Sequence, residues 1–233
     1  MQTIIQITDL HIDNNDPELA LLSPEDNFSK FLLYARNIPF DKLVVTGDVA
    51  DANESFEIVM NKLQELCGTI RFVSGNHDPK EAFHLSGLKK PYFVEHLEEF
   101  LVLYLDSGMG KIDNEQLLWM EEQLLHNEKD ILIFLHHPII DCGNTVMDRM
   151  FPLLNRDEVC RILDKTKNKI SIFSGHYHWE QEIHAGNRKQ YVTPSLLYQL
   201  DQNSDSLKIG STNFGFRVIN ITKDCIETYV EYI

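Results

Sequence analysis

No CxxC pair occurs in this sequence, and its four cysteines, at positions 67, 142, 160 and 225, are too scattered to suggest a disulfide framework. That spacing excludes a disulfide-stapled scaffold and predicts reduced thiols in a cytoplasmic protein. Long apolar runs are also missing. None approaches the roughly 20 residues that span a bilayer, so no membrane partner is expected. The opening residues, MQTIIQITDLH, lack the basic start and small-residue cleavage site of a signal peptide. Basic residues are scarce: 21 Lys and Arg stand against 36 Asp and Glu, a net charge of −15. Such a surface repels phosphate backbones, which argues against long nucleic acid as a partner. Repeats and low-complexity linkers are absent too, and 233 residues suffice for one sizeable core, so the chain reads as a single domain over 1–233.

What is present is alternation. Short apolar runs predict buried strands at Thr3–Thr8, Leu43–Thr46, Ile70–Ser74, Leu101–Leu105, Ile131–Leu135 and Ile170–Ser174. Helical patterns lie between them. One opens at Ser23-Pro24 and runs to about Asn37; the others cover Asn53–Cys67, Asn114–Asn127 with Asn114 as N-cap, and Asn155–Thr166. Past His178 the pattern turns β-like, at Gln190–Thr193, Phe216–Ile221 and Cys225–Tyr232, with a hairpin turn at Asn220–Asp224. Mostly βαβ connections followed by strands predict an α/β layered sandwich with a β-rich C-terminal end. Ligands in such sheets sit where strands end.

Five of the six predicted strands end in residues able to hold metal: Asp9-Leu10-His11, Gly47-Asp48, Gly75-Asn76-His77-Asp78, His136-His137-Pro138 and Gly175-His176-Tyr177-His178. Six of the ten histidines lie in these few loops. Taken singly, each motif has an ordinary structural explanation. Together they do not, because packing gives no reason for carboxylates and imidazoles to recur at the ends of separate buried strands. Parallel strands aim those ends at one edge, where about seven ligands would converge. That exceeds one tetrahedral ion and matches two ions sharing a carboxylate. Imidazole-rich donor sets favour Mn, Fe or Zn over Mg and Ca.

In this order, the five motifs resemble the calcineurin-like metallophosphoesterase superfamily. The resemblance implies a four-layer αββα sandwich with mixed sheets. It implies Asp9, His11 and His178 on a first metal, Asn76, His136 and His176 on a second, and Asp48 bridging both. It implies His77 facing the substrate as general acid or charge stabiliser, with Asp78 orienting it. Whether His136 or His137 is the ligand stays open, since period two points them to opposite sides. The implied reaction is attack on a phosphoester by hydroxide held between the ions.

The chain reads GDVADAN and SGNHD where protein phosphatases of this type carry Asp-Arg-Gly and Arg-Gly-Asn-His-Glu. The stretches ITDLHI, TGDVAD, SGNHD, LDSG, LHHPIIDCGNTVMDRMFPLLNRDEVCRIL, SGHYHWE and VTPS are instead similar to class III cyclic-nucleotide phosphodiesterases. That likeness implies hydrolysis of a small-molecule phosphodiester substrate, a cAMP-like 3′,5′-cyclic nucleotide, to the 5′-monophosphate. Alternatives are a 2′,3′-cyclic nucleotide, a glycerophosphodiester, a phosphomonoester, or a metal-binding interaction module without turnover. Homodimerisation, known among such proteins, is left open. The loops Pro138–Met150 and Thr193–Gln199 are candidate walls for base and ribose, with Tyr198 or Phe214 as a stacking ring. His84, His96, His126 and His184 read as ordinary histidines.

Overall fold

The computed structural model describes residues 1–13, 22–223 and 225–233. Along the chain come β1 (Gln2–Ile7), α1 (Pro24–Ala35), β2 (Lys42–Val45), α2 (Asn53–Leu66), β3 (Ile70–Phe72) and the short α3 (Ala82–Leu85). Then follow β4 (Phe93–His96), β5 (Phe100–Tyr104), α4 (Asn114–Leu124), β6 (Asp130–Phe134), α5 (Val146–Met150), α6 (Arg156–Leu163) and β7 (Ile170–Ser174). The chain closes with β8 (Gln181–Ala185), β9 (Arg188–Val192), β10 (Gln199–Leu200), β11 (Ile209–Ser211), β12 (Gly215–Ile221) and β13 (Ile226–Tyr232).

Two mixed sheets carry the molecule, in the orders β13-β12-β1-β2-β3 and β4-β5-β6-β7-β9-β8. Strands β1, β2 and β3 are mutually parallel, as are β5, β6, β7 and β9. The antiparallel members are β12 and β13 in the first sheet and the edges β4 and β8 in the second. Alternation along each strand sorts the apolar residues into three layers. Ile5 and Ile7 of β1 face Phe28 and Phe31 of α1. Ile4 faces the other way, into a layer between the sheets. Leu101 and Leu103 of β5 face Leu117 and Met120 of α4. Three apolar layers separate four of structure, the αββα order that the family resemblance implied.

The inter-sheet layer holds an aromatic ladder across the second sheet. Phe93, Tyr104, Phe134, Phe173 and Tyr191 stack in succession, with ring centroids 4.4, 5.4, 5.1 and 5.1 Å apart. Cross-strand aromatic pairs of this kind fix the register of neighbouring strands.

Several boundaries move from their predicted positions. Ser23 does cap α1, its Oγ accepting from the Asp26 amide with Pro24 behind it. The cap of α4, however, is Asp113, whose carboxylate accepts from the Gln116 amide at 2.7 Å, and not Asn114. Either residue has a suitable side chain; the ionised one is the stronger acceptor for free amides. Edge strands β4 and β8 were not foreseen, because their half-exposed polar residues give no apolar run. Of the predicted hairpin turn, Asp224 lies outside the described residues, while the Thr222 amide donates to the Cys225 carbonyl at 3.0 Å. No helix of the described residues is long and apolar enough to cross a membrane, and all four cysteines are free thiols.

Candidate metal centre

The five predicted motifs lie just past the C-terminal ends of β1, β2, β3, β6 and β7. Both sheets present these ends at one edge, and backbone bonds lock the edges together. The Leu196 amide, past β9 of the second sheet, donates to the Thr8 carbonyl, past β1 of the first, at 3.1 Å, while within the second sheet the Gly175 amide donates to the His136 carbonyl at 3.0 Å.

Two clusters result. In the first, His178 Nε2 lies 3.2 Å from Asp9 Oδ1 and 3.0 Å from His11 Nε2. In the second, His136 Nε2 lies 3.2 Å from Asp48 Oδ2, 3.2 Å from Asn76 Oδ1 and 3.1 Å from His176 Nδ1. Asp48 Oδ2 is also 3.8 Å from His11 Nε2, so this one carboxylate oxygen adjoins both groups. Within Asp9, His11 and His178, and within Asp48, His136 and His176, the ligand atoms lie within 4.8 Å of one another. His77 joins His11 and Asp48 in a third such grouping.

The outer nitrogens explain which inner ones point inward. His136 Nδ1–H donates to the Thr46 carbonyl at 2.7 Å and His176 Nε2–H to the Phe151 carbonyl at 3.0 Å. Each bond fixes ring orientation and turns the opposite nitrogen toward the cluster. His137, the alternative to His136, instead pairs Nδ1 with Ser107 Oγ at 3.1 Å, its ring lying 4.1 Å from that of His176.

The residues fit a pair of divalent cations on three grounds. First, Asp9 Oδ1, which faces the first cluster, is a buried carboxylate oxygen without a hydrogen-bond partner among the described residues, an expensive state for a polar atom. Second, of the seven described non-glycine residues with positive φ, five are Asp9, His11, Asp48, His176 and His178. Strained backbone of this kind persists where a site dictates it. Third, the protonation states suit ligands. Burial pushes His11 down to about 4, and burial together with the other imidazoles holds His176 well below its usual value. Burial alone would raise the Asp48 carboxyl, but His136 holds it well below the carboxylate range; Asp48 in turn lifts His136 to about 9 against its burial. A cation taken up there would displace that proton.

The glycines of the motifs are spacers. A Cβ on Gly75 would stand 2.1 Å from Asp48 Oδ1, and one on Gly175 would stand 1.9 Å from Thr8 Oγ1 and 2.6 Å from Asp9 Oδ2. Asp78 differs from its expected role. Its hydrogen bonds run to backbone, Oδ2 accepting from Asp48 N (2.9 Å) and Gly75 N (2.8 Å), and Oδ1 from Val49 N (2.6 Å). It pins the two loops that carry Asp48 and Asn76. The carboxylate beside the half-exposed His77 ring is Asp51, 3.7 Å from Nδ1. Sequence reasoning passed over Asp51, although its place three residues after Asp48 sets it on the same loop.

A cavity of about 510 Å³ opens over the clusters. His11, Asp48, Asn76, His77, His176 and His178 form its floor; Met147, Phe151, Tyr198, Leu207 and Ile209, with Lys208, form an apolar wall bearing one cation. Thus the 138–150 loop and Tyr198 do reach the cavity, with the Tyr198 ring 4.7 Å from His178. Phe214 does not: it is buried in the layer between α1 and the first sheet, where the side chain of Lys30 covers it. A cleft of about 660 Å³ lies away from the clusters, between residues 96–101, 122–130 and Lys223, and includes none of the candidate ligands.

Comparison with known proteins agrees with this geometry. The family model described as calcineurin-like phosphoesterase matches residues 2–180. A probable cyclic nucleotide phosphodiesterase of Fibrobacter succinogenes is 30% identical over 236 residues, covering 97% of this chain and 92% of its own. One from Xenorhabdus bovienii is 26% identical, covering 95% and 96%. Among solved structures, a dimetal phosphatase from Danio rerio superposes with a TM-score of 0.74 at 15% identity, over 98% of this chain and 95% of that one, a likeness of fold.

Proposed function

Since the chain belongs to the calcineurin-like phosphoesterase family, we propose that it hydrolyses a small phosphodiester, in first place a 3′,5′-cyclic nucleotide to the 5′-nucleoside monophosphate. One observation carries the reading: Asp48 Oδ2 adjoins His136 on one side and His11 on the other, at 3.2 and 3.8 Å. Asp9, His11 and His178 would hold one divalent cation, Asn76, His136 and His176 a second, and Asp48 both. Bound there, two such cations supply Lewis acidity for the phosphoryl group and an acidified water as nucleophile. Manganese, iron or zinc suits these donors.

The chain's own residues do the rest. The cavity floor gives a phosphoryl group one accessible face, while the apolar wall takes the ring-bearing part of a nucleoside and excludes water from it. Tyr198 is the ring placed to stack there. His77, exposed at the cavity, offers an imidazole nitrogen to the departing alkoxide while Asp51 faces its Nδ1. Asp78 keeps the Asp48 and Asn76 loops in register. A singly charged small diester suits this cavity and the chain's −15 charge better than a polyanion does. The free cysteines support a cytoplasmic setting, and the shared sheet layers support a single domain.

The test is a substrate panel on Mn²⁺-loaded protein: cAMP, 2′,3′-cyclic AMP, a glycerophosphodiester and bis-p-nitrophenyl phosphate. Conversion of cAMP to 5′-AMP, lost in Asp48→Ala, is expected. Intact cAMP alongside cleavage of the other diesters would overturn the substrate; no cleavage of any of them by protein that has taken up the ions would overturn the activity.

A further inference from the structure

Asp148 is a buried carboxylate that none of the roles above uses. It begins as a helix cap partner: the Thr145 hydroxyl accepts from the Asp148 amide, and Asp148 Oδ2 accepts from the Thr145 amide at 3.0 Å, a capping box at the start of α5. A capping box needs no more than that. Yet Asp148 also accepts from the Thr145 hydroxyl at 2.8 Å, from the Cys142 amide at 3.1 Å on each oxygen, from the Tyr177 hydroxyl at 3.1 Å and from Arg156 Nη1 at 3.4 Å. Every group facing it is a donor, and the two carboxylate oxygens accept from them all.

Those partners belong to three segments: the turn before α5, the start of α6, and the end of β7. The last is the telling one. Tyr177 stands between His176 and His178, and its buried ring packs with Met147 and Trp179. At the far end of α5 the Phe151 carbonyl accepts from His176 Nε2 at 3.0 Å. Met147, in the first turn of the helix, and Phe151, at its C-cap, line the cavity. The short segment that walls the cavity is therefore bonded at both ends to the strand end bearing two candidate ligands, and Asp148 is the fastening at one of them.

We propose that Asp148 is a positioning residue which, through the Tyr177 hydroxyl and α5, couples the substrate wall to the His176–His178 segment, so that cation affinity and substrate KM depend on it together. This rests on the metal-dependent phosphodiesterase reading. Outer partners of ligating groups of this kind change metal affinity by about 10–100-fold when removed.

The experiment uses Tyr177→Phe, which keeps the buried ring and removes only the hydroxyl, with Asp148→Asn and Asp148→Ala, all in a Trp119→Phe background. Trp179, its ring 5.1 Å from Tyr177, is then the sole tryptophan and reports locally. Mn²⁺ binding is read by calorimetry and by Trp179 emission, and turnover with bis-p-nitrophenyl phosphate. Tyr177→Phe should take up the same number of ions with about ten-fold lower affinity for at least one, and KM should rise by a larger factor than kcat falls. Asp148→Asn should lie between the parent and Asp148→Ala, because the Tyr177 hydroxyl can turn and accept from the amide. Variants with parental Mn²⁺ affinity and KM, altered only in melting temperature, would overturn the coupling and leave a purely structural network. A parent that takes up no Mn²⁺ would overturn the reading of the site itself, before any variant is compared.

Discussion

His11 Nε2 and His178 Nε2 face each other at 3.0 Å across a separation of 167 positions in the chain. Two imidazole nitrogens at that distance share at most one proton between them, and Asp9 Oδ1 stands 3.2 Å from one and 3.8 Å from the other. Three electron-pair donors so close together form a candidate cation site, built from the two ends of the alternating region. His178→Ala is expected to abolish uptake at this cluster and leave the Asp48–His136–His176 cluster occupied. Metal analysis of the purified variant should fall from two Mn²⁺ per chain to one. Unchanged stoichiometry would remove His178 from the ligand set.

His77 carries a prediction of different form, because it is half-exposed and faces Asp51 while its backbone amide donates to Asp48 Oδ1 at 2.8 Å. As general acid it matters in proportion to how badly the leaving group needs a proton. His77→Ala should lower kcat on an alkyl diester by about 10²–10⁴ with Mn²⁺ uptake intact. On bis-p-nitrophenyl phosphate, whose leaving group departs without a proton, the loss should be much smaller. Equal losses on both substrates would assign His77 to charge stabilisation.

Gly175→Ala tests the close contact between the two sheets. The added methyl would stand 1.9 Å from Thr8 Oγ1 and 2.6 Å from Asp9 Oδ2, and Asp9 Oδ2 also accepts from the His176 amide at 2.9 Å. Overpacking of this kind costs about 1–3 kcal/mol, and here it must push Asp9 away from His178. A lowered melting temperature together with weakened Mn²⁺ binding is expected. Loss of stability alone, with parental metal affinity, would show that Asp9 can follow the displaced loop.

Much of this was legible in the sequence because ligand chemistry is written locally. Each strand end announces its own Asp, Asn or His, and a parallel sheet needs only strand order to bring them to one edge. What escaped depends on contacts between distant segments. Asp78 follows His77 in sequence, which suggests it as that ring's partner, but its oxygens are taken by amides of two separate loops, at Asp48 and at Gly75, which no spacing reveals. Phe214 sits beside the C-terminal loops, yet the register of β12 turns that end of the chain into the α1 layer. Strand β8 gives no apolar run because, at the sheet edge, none of its residues is fully buried.

Glu95 of β4 contributes to the pH dependence of stability away from the candidate ligands. It forms ion pairs with Lys42 of β2 and Arg71 of β3 and accepts from the Tyr104 hydroxyl at 3.1 Å, tying the second sheet to the first. Burial alone would raise its carboxyl, but hydrogen bonds from Lys42 and Arg71 hold it below the ordinary 4.5. A carboxyl depressed on folding binds fewer protons folded than unfolded, so its contribution is fully present above 4.5 and is lost as pH falls through the lower folded value. In Glu95→Gln the nearly buried Lys42 loses its counter-charge at every pH. The melting temperature of the variant should therefore lie below that of the parent at neutral pH. The gap should hold steady down to about pH 4.5 and close in more acidic solution, as the parent's own carboxyl becomes neutral. Thermal melts of both proteins across that range decide it. A gap that stays constant into acid would mean that Glu95 stabilises the sheets by packing and neutral hydrogen bonds, and that the two cations find their counter-charge elsewhere.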